Sequence, residues 1–334
     1  MIQNSINLDV QRVVGYRQFC NKLWNIVKFA LTNLPEGFVP EPAGPEGLKL
    51  SLADKWILTR LSETVRSTND LMENYKLGEM VMGLYEFWLK ELADVYIEAL
   101  KPVMKGDDEE AKKAARNTLF RCLDSGLRLL HPAMPYLTEE LFQRLPHPKE
   151  HPESICIAPF PEKQTSYGSE NVEEKISQVL NAVKAFRSQL SALNVPNNAK
   201  PHLAIRCKTD EWKRTFAEAS PVIQSLVKSS QLDVLGPSDS SDPAGSVKNH
   251  VNEEVQTYIK VVGLIDIKLE IDRLKKRQTE LKKYMDDLAK KTTVPNYETK
   301  VPETVRAENA KKQASYEAEF AENEKSQGIL AQFL

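Results

Sequence analysis

The sequence predicts a mainly α-helical protein that consists of a helical bundle, a small α/β unit and an antiparallel coiled-coil hairpin. Three observations support this fold class. Long stretches before about residue 146 place apolar residues at helical spacing between breaks that contain proline and glycine. Short runs typical of β-strands occur only between about 200 and 262, and the remainder repeats apolar residues every three or four positions. We therefore predict three domains, with the ranges 1–148, 149–262 and 263–334.

Length and composition limit the class of protein. A chain of 334 residues is long enough for two or three compact units, and its net charge of -2 neither supports nor excludes a nucleic-acid partner. No apolar run approaches the roughly 20 residues that cross a bilayer, and Met1 is not followed by a signal-peptide core, so no membrane partner is expected. The cysteines lack the spacing of metal ligands or redox motifs, which predicts no metal site and a reducing compartment such as the cytosol. These cysteines are Cys20, Cys122, Cys156 and Cys207.

The bundle is predicted to contain helices at about 9–33, 51–74, 77–101, 108–130 and 138–145. A loop rich in proline and glycine separates the first two, and acids that follow Gly106 favour the N-terminus of a later helix. Pro132 and Pro135 mark the break before the final helix, whose predicted N-cap is Thr138. His131 lies at the same junction, and capping rather than acid–base chemistry is the predicted role of this pair.

The first helix is the most informative element, because one of its aromatic residues falls outside its apolar face. The predicted core face contains Val13, Cys20, Leu23, Val27 and Leu31. The opposite face contains Gln18, Lys22, Asn25 and Phe29, and the adjoining row contains Arg17, Asn21 and Lys28. An exposed ring among cations and amides, with hardly an acid nearby, suits single-stranded nucleic acid through stacking and charge. The alternative is that Phe29 packs against a second neighbour in the bundle.

The region from about 150 to 262 is predicted to form a small α/β unit. Helices are predicted at about 171–193 and 209–229, and strands at about 203–207, 232–235 and 255–261. The stretch from 236 to 246, which is rich in serine, aspartate, proline and glycine, is predicted to be a mobile loop.

The C-terminal region has the most regular pattern of the chain. Its first helix carries an unbroken a/d seam formed by Leu264, Ile267, Ile271, Leu274, Gln278, Leu281, Met285 and Leu288. A break with Pro295 and Pro302 precedes a second helix of similar length, from about 303 to 329. Two helices of equal length joined by a short break imply an antiparallel hairpin, whose arms reach about 40 Å at roughly 1.5 Å per residue.

The two arms differ in charge, the first being rich in lysine and arginine and the second in glutamate. Pairing between the arms is the ordinary use of such charges. The consecutive residues Lys275, Lys276 and Arg277 cannot all face the partner arm. Part of this cluster is therefore predicted to project outward, where it can bind phosphates.

Three segments together resemble the class Ia aminoacyl-tRNA synthetases. Ile6–Asp9 with Phe19–Asn25, and later Leu130–Leu141, are similar to the opening and closing signatures of the helical anticodon-binding domain in the valine, isoleucine and leucine group. Asn296–Val305, between the coiled-coil helices, resembles the tip of the C-terminal arm of valyl-tRNA synthetases. The isoleucine enzymes typically end in a different, often zinc-binding, module. The ending of this chain therefore favours the valine family, in a eukaryotic cytosolic form.

The resemblance implies where tRNA binds. In valyl-tRNA synthetases the helix that matches residues 22–29 faces the anticodon, with an aromatic residue stacked on a base and basic residues on the backbone. The residues that match in type are Lys22, Lys28 and Phe29, with Arg12 and Arg17 as further candidates. In the same family the coiled-coil arm contacts the outer corner of the tRNA. The candidates there, chosen by charge, are Arg273, Lys276, Arg277, Lys282 and Lys283.

The His-x-Gly-His and Lys-Met-Ser-Lys-Ser motifs of class I catalytic domains do not occur in the sequence. We therefore expect no ATP site, no cofactor and no aminoacylation from this chain alone, ATP being needed only by a separate catalytic domain. The leading hypothesis is a monomer that recognises valine tRNA as the C-terminal part of a synthetase, occurring as a fragment, a short isoform or a truncated gene product. A catalytic synthetase domain and other translation factors are the further partners expected. The alternative is a coiled-coil interaction module that no longer binds tRNA.

Overall fold

The computed structural model describes residues 9–41, 44–146, 152–162, 171–196, 198–239, 241–264, 267–292, 297 and 302–332. The fold is mainly α, with 68% helix and a small mixed sheet of four strands, which confirms the predicted fold class. The chain divides into two compact units, Met1–Val179 with Pro221–Leu226, and Leu180–Ser220 with Val227–Leu334. The domain boundaries predicted at 148 and 262 stay predictions.

The helices of the first unit lie close to their predicted positions. They are α1 Val10–Asn33, α2 Leu52–Glu73, α3 Leu77–Glu86, a π-helical segment Phe87–Tyr96, α4 Ile97–Lys105, α5 Glu109–Leu130 and α6 Pro135–Arg144. Side-chain caps fix three of the starts: Asp9 accepts a hydrogen bond from Gln11 N at α1, Ser51 and Asp54 form a capping box at α2, and Asp108 accepts a hydrogen bond from Ala111 N at α5.

The helical run that was predicted to end near residue 101 continues to Lys105 through a proline. Pro102 has no amide hydrogen, so the carbonyl oxygen of Glu98 lacks its usual helical donor. The hydroxyl of Ser225 donates to this oxygen at 3.0 Å and replaces that donor. The sequence did not indicate the π-helical segment, which places the fully buried Phe87, Trp88 and Tyr96 in the core.

The predicted N-cap of α6 is wrong. The helix begins at Pro135 with Met134 as its N-cap, and Thr138 lies inside the first turn, fully buried. Its hydroxyl donates to the Met134 carbonyl oxygen at 2.9 Å. Proline at the first helical position has no amide hydrogen and so leaves no donor without an acceptor, which favours a start there, with the N-cap four residues before the predicted one.

The second unit contains the sheet. Its strands are β1 His202–Cys207, β2 Gln231–Leu235, β3 Ser246–His250 and β4 Val255–Lys260, in the order β2-β1-β4-β3. β1 pairs with β2 in parallel, and β4 is antiparallel to both β1 and β3. Helix α8, Asp210–Glu218, also belongs to this unit, whereas α7, Val172–Ala192, is divided between the two units and most of α9, Ser220–Val227, belongs to the first. The prediction of a single helix at 209–229 is wrong, because this range contains two helices, and strand β3 was not predicted.

The loop at 236–246, which was predicted to be mobile, is hydrogen-bonded to the sheet. Nη1 and Nη2 of Arg206, on β1, donate to the carbonyl oxygens of Asp239 and Ser241 at 2.6 and 2.5 Å. The Tyr258 hydroxyl, on β4, donates to Asp242 at 2.8 Å. The composition of the loop indicates irregular backbone but not these contacts, because their donors come from strands distant in sequence.

The hairpin consists of α10 Ile267–Thr292 and α11 Glu303–Ala331. Among its described side chains, Ile271, Leu274, Leu281, Leu288 and Leu330 are buried. The rings of Tyr284 and Tyr316 lie 5.8 Å apart, while Gln278 accepts a hydrogen bond from Gln327 at 3.1 Å. Higher numbers on one arm meet lower numbers on the other, as in an antiparallel hairpin. Of the segments that carry the family resemblance, residues 6–8, 296 and 298–301 lie outside the described residues.

In the part of the chain that the structure describes, none of the helices combines the length and apolar character that a membrane crossing requires. No group of three or more His, Cys, Asp or Glu side chains in that part is placed to hold a metal ion.

Candidate functional site

Helix α1 carries the residues that the sequence associates with nucleic acid, and its C-terminal half is anchored in the bundle. Its buried residues, with the C-cap residue included, are Leu23, Ile26, Val27, Ala30 and Leu34. The predicted core face is wrong in part, because Val13 and Leu31 are exposed and Cys20 is half-buried. The spacing of apolar residues predicts which side of a helix faces the core. It does not predict how far along the helix that side is covered by other helices.

Phe29 is half-buried rather than fully exposed. It follows the buried Ile26 by three residues and precedes the buried Ala30, so it lies at the border of the core face. The side chain is therefore partly covered by the bundle and partly accessible. Its role in binding stays a prediction.

Lys22 has an acidic neighbour that the sequence did not indicate. Its Nζ lies 3.3 Å from Oδ1 of Asp94, in the π-helical segment, and both side chains are exposed. The prediction of a face with hardly an acid nearby is wrong at this position. An exposed ion pair contributes at most about 1 kcal/mol, so Lys22 remains available to a phosphate group.

Arg17 and Lys28 are exposed on α1. Their separation corresponds to about three helical turns, which puts them on one side of the helix. Arg12 lies in the same helix, but its side chain is outside the described residues. Arg17 and Lys28 are thus exposed on one side of the helix, and their contact with a nucleic-acid backbone stays a prediction.

Trp24, which was not among the predicted site residues, lies between Arg17 and Lys28 on that side of α1. It is 39% exposed, and the guanidinium carbon of Arg144, on α6, lies 5.1 Å from its ring centroid. The Nε of Arg144 also donates to Glu140 at 2.8 Å, which holds the guanidinium group in place. A planar cation over an exposed indole combines a flat π surface with positive charge. We call Arg17, Trp24, Lys28 and Arg144 the Trp24 face.

A sequence signal for the Trp24 face does exist. Trp24 follows Arg17 by seven residues and precedes Lys28 by four, which is the spacing of a single helical row. The contribution of Arg144 carries no such signal, because it comes from a helix that is distant in the sequence. Attention to Phe29 alone misses this row.

In the hairpin, Arg277 faces the second arm. Its Nε and Nη2 donate to the two carboxylate oxygens of Glu319 at 2.8 and 3.2 Å, and Nη1 donates to Glu280 at 3.2 Å. Hydrogen bonds to Glu319 and then Glu280 raise the pKa of the Arg277 guanidinium. This arginine thus serves pairing within the hairpin, which is the ordinary use of charges in a coiled coil.

The other predicted cations of the hairpin are exposed on α10. Arg273 donates from Nη2 to Asn194 at 3.3 Å. Four lysines form two rows, each one heptad long, with Lys275 and Lys282 in one and Lys276 and Lys283 in the other. One heptad corresponds to about 10 Å along a helix. We call these four residues the lysine rows; they present ammonium groups at regular intervals beside the paired Arg277.

Comparison with known proteins shows that this chain is similar to tRNA ligases. Residues 54–205 match the model of the anticodon-binding domain of tRNA ligase. Over 317 residues, which are 94% of this chain and 25% of the relative, the chain is 37% identical to the valine–tRNA ligase of Homo sapiens. It is 36% identical over 336 residues, 98% of the chain and 30% of the relative, to the mitochondrial valine–tRNA ligase 1 of Arabidopsis thaliana. Identity to the valine–tRNA ligase of Clostridium acetobutylicum is 34% over 302 residues, 90% of the chain and 33% of the relative. The chain thus spans about a quarter to a third of the length of these relatives.

Proposed function

We propose that this chain, as a member of the valine–tRNA ligase family whose carboxyl-terminal portion it matches, recognises valine tRNA. In this proposal the first unit contacts the anticodon stem-loop and the hairpin contacts the outer corner of the tRNA. The recognition supports valyl-tRNA aminoacylation in protein synthesis.

The observation that carries the proposal is the Trp24 face. Unpaired anticodon bases expose their π faces and Watson–Crick edges, and proteins bind such bases by stacking them on aromatic rings or guanidinium planes. Trp24 and Arg144 supply both kinds of plane within 5.1 Å of each other. Arg17 and Lys28, exposed on the same side of α1, supply charges for the adjacent phosphates.

Phe29 and Lys22 extend the proposed surface around α1. The accessible part of Phe29 offers a second ring, and Lys22 can exchange its weak pairing with Asp94 for a phosphate. We therefore keep both as proposed anticodon contacts. Arg12 is kept as a candidate on its sequence position alone.

The lysine rows, together with Arg273, support the proposed contact with the outer corner of tRNA. Such a contact depends on phosphate charge and on shape, and it carries little sequence information. All four lysines are exposed, and among the side chains that the structure describes none of them pairs with the other arm, so they can meet phosphates without rearrangement of the hairpin. Arg277 contributes indirectly, by holding the two arms together through Glu319.

The proposal assigns binding, and no chemistry, to this chain. The sequence contains neither His-x-Gly-His nor Lys-Met-Ser-Lys-Ser, so ATP and valine activation are assigned to a separate catalytic domain. The alternative of an interaction module without tRNA binding is not favoured, because the similarity to valine–tRNA ligases extends over nearly the whole of this chain. The cytosolic location stays a prediction, because some relatives are named as mitochondrial.

Filter-binding titration of the chain with radiolabelled valine tRNA and leucine tRNA tests the proposal. We expect tighter binding of valine tRNA and a steep loss of affinity as the salt concentration rises. Equal affinity for the two tRNAs would reduce the proposal to non-specific RNA binding. No measurable binding at low salt would refute it.

A further inference from the structure

Outside the proposed tRNA surfaces, the first unit contains a cysteine paired with a histidine. The Cys156 residue is exposed, and its Sγ lies 3.3 Å from Nε2 of His131. Cys156 belongs to the short 3-10 helix Ile155–Ile157, whereas His131 is the C-cap residue of α5. The tertiary fold therefore brings a nucleophile within reach of a base.

A buried threonine orients the histidine ring. Nδ1 of His131 lies 2.8 Å from Oγ1 of Thr138. The Thr138 hydroxyl has one proton and donates it to the Met134 carbonyl oxygen at 2.9 Å. It accordingly accepts a hydrogen bond from Nδ1–H of His131. This tautomer leaves the lone pair of Nε2 directed at the Cys156 sulfur.

The segment that carries Cys156 is held by bonds that do not involve the thiol. One carboxylate oxygen of Glu139 accepts hydrogen bonds from the Ser154 hydroxyl at 2.8 Å and from Ile155 N at 3.0 Å. The Ser154 hydroxyl oxygen accepts a further bond from Cys156 N at 3.1 Å. The distance between Cys156 and His131 is thus fixed by α6 and by the backbone of this segment.

We propose that Cys156 is a reactive thiol that exchanges with low-molecular-weight disulfides, with His131 as the base that takes up its proton. Nε2 of His131 accepts the thiol proton, and the thiolate attacks one sulfur of the disulfide. The disulfide bond breaks as the bond to Cys156 forms. The second sulfur leaves as a thiolate and takes the proton from His131. One S–S bond breaks for each one that forms, so no further oxidant is required.

The other cysteines provide internal references. Burial raises the pKa of the Cys207 thiol to about 12 and raises that of the buried Cys122 well above its usual range. These two thiols stay protonated and covered in the folded chain. Cys20 is half-buried on α1 and serves as the accessible comparison.

Treatment of the full chain with glutathione disulfide at neutral pH, followed by peptide mass spectrometry, tests the proposal. We expect Cys156 to acquire the adduct at least about fivefold faster than Cys20, with no adduct at Cys122 or Cys207. His131→Gln keeps a polar side chain but removes the base, and should slow the reaction of Cys156 about fivefold or more. Thr138→Val keeps the buried shape but removes the acceptor of Nδ1–H, and should slow it less.

Circular dichroism establishes whether each variant is folded. A folded His131→Gln chain that reacts at the wild-type rate would overturn the proposal, as would equal rates at Cys156 and Cys20. If both variants are unfolded, the proposal is tested on the wild-type chain alone. The rate at which Cys156 reacts with glutathione disulfide is then compared between the native and the urea-unfolded chain. Folding must then accelerate the reaction of Cys156, and a faster reaction of the unfolded chain would exclude assistance from His131.

Discussion

The hydroxyl of Tyr96 donates a 2.6 Å hydrogen bond to Oδ1 of Asp54, and both side chains are buried. Asp54 is also the capping-box residue of α2, where its other carboxylate oxygen accepts bonds from the amide and hydroxyl of Ser51. One carboxyl group thus joins the start of α2 to the π-helical segment. Each of its oxygens has a donor, as a buried charge requires.

Replacement of Tyr96 by Phe should lower the free energy of unfolding by about 1 to 3 kcal/mol, because Oδ1 of the buried Asp54 loses its strong donor. Urea unfolding monitored by circular dichroism measures this difference. Tyr85→Phe is the matched control, since Tyr85 is partly exposed, and it should change stability by no more than about 0.5 kcal/mol. Equal effects of the two substitutions would contradict the prediction.

Asp54 should also make stability depend on pH. Burial raises the pKa of its carboxyl above the ordinary 3.8, although hydrogen bonds from Ser51 and Tyr96 oppose the shift. The folded chain therefore keeps this proton to a higher pH than the unfolded chain. The contribution of Asp54 to stability is fully present below 3.8, falls as pH rises to the folded-state pKa, and is constant above it.

Unfolding titrations of the wild-type chain and of Asp54→Asn from acidic to neutral pH measure this contribution. The difference between the two free energies of unfolding cancels the contributions of the other titrating groups. We expect wild-type stability to fall relative to the variant as pH rises from 3.8 to the folded-state pKa of Asp54. In Tyr96→Phe the folded-state pKa of Asp54 should rise further, because one of the hydrogen bonds that lower this pKa is gone. If the wild-type chain instead gains stability relative to Asp54→Asn with rising pH, the folded-state pKa of Asp54 is lowered and the prediction is wrong.

Gly126 allows α5 to approach the π-helical segment closely. A Cβ at this position would lie 2.8 Å from Cζ2 of the fully buried Trp88. Gly126→Ala should therefore destabilise the chain by about 1 to 3 kcal/mol through overpacking. Gly83→Ala is the control, because it lies in α3 with nothing within 4 Å of its added Cβ and should be neutral or stabilising by up to about 1 kcal/mol. Thermal unfolding that ranks the two variants in the reverse order would refute this prediction.

The Trp24 face predicts which ring matters for tRNA. Trp24→Ala should weaken binding of valine tRNA by roughly 1 to 3 kcal/mol, the typical contribution of one stacked base. Phe29→Ala should have a smaller effect on binding and a larger one on stability, because Phe29 is half-buried. Paired titrations and urea unfolding of both variants separate these effects.

Tyr75→Asn serves as the aromatic control for these titrations. Tyr75 is 89% exposed in the turn between α2 and α3, and asparagine suits its positive φ of 57°. The control should bind valine tRNA like the wild type. If Trp24→Ala also binds like the wild type while Phe29→Ala does not, the anticodon contact lies on Phe29 and not on the Trp24 face.

In the hairpin, we expect different residues to determine the affinity for tRNA and the stability of the fold. Lys282→Ala with Lys283→Ala should weaken tRNA binding and reduce the slope of log K against log salt by about 1 for each phosphate that is no longer neutralised. Arg277→Lys should instead loosen the hairpin, since an ammonium group cannot reproduce the two bonds to Glu319. Salt titrations and thermal unfolding should therefore respond to different variants. An unchanged salt slope in the lysine variant would remove the lysine rows from the proposed site.

Much of the architecture was predictable because it rests on local signals. Helical periodicity with proline and glycine breaks placed most helices of the first unit, and the regular a/d spacing placed the hairpin. The π-helical segment was not predictable, since its fully buried residues, such as Trp88, have the same apolar character in an ordinary helix. Strand β3 was missed because its sequence, from Ser246 to His250, is largely polar and it is paired only through β4.

By itself, the sequence determined that the chain is a helical bundle followed by an α/β unit and a coiled coil, and it placed cations and rings along α1 and α10. These are properties of spacing along one helix. Only the tertiary structure decided which of these groups are available. It covered part of Phe29, paired Lys22 with Asp94 and Arg277 with Glu319, and laid Arg144 over Trp24. Each of these outcomes depends on a residue from another element of the fold, and periodicity within one helix holds no information about such a partner.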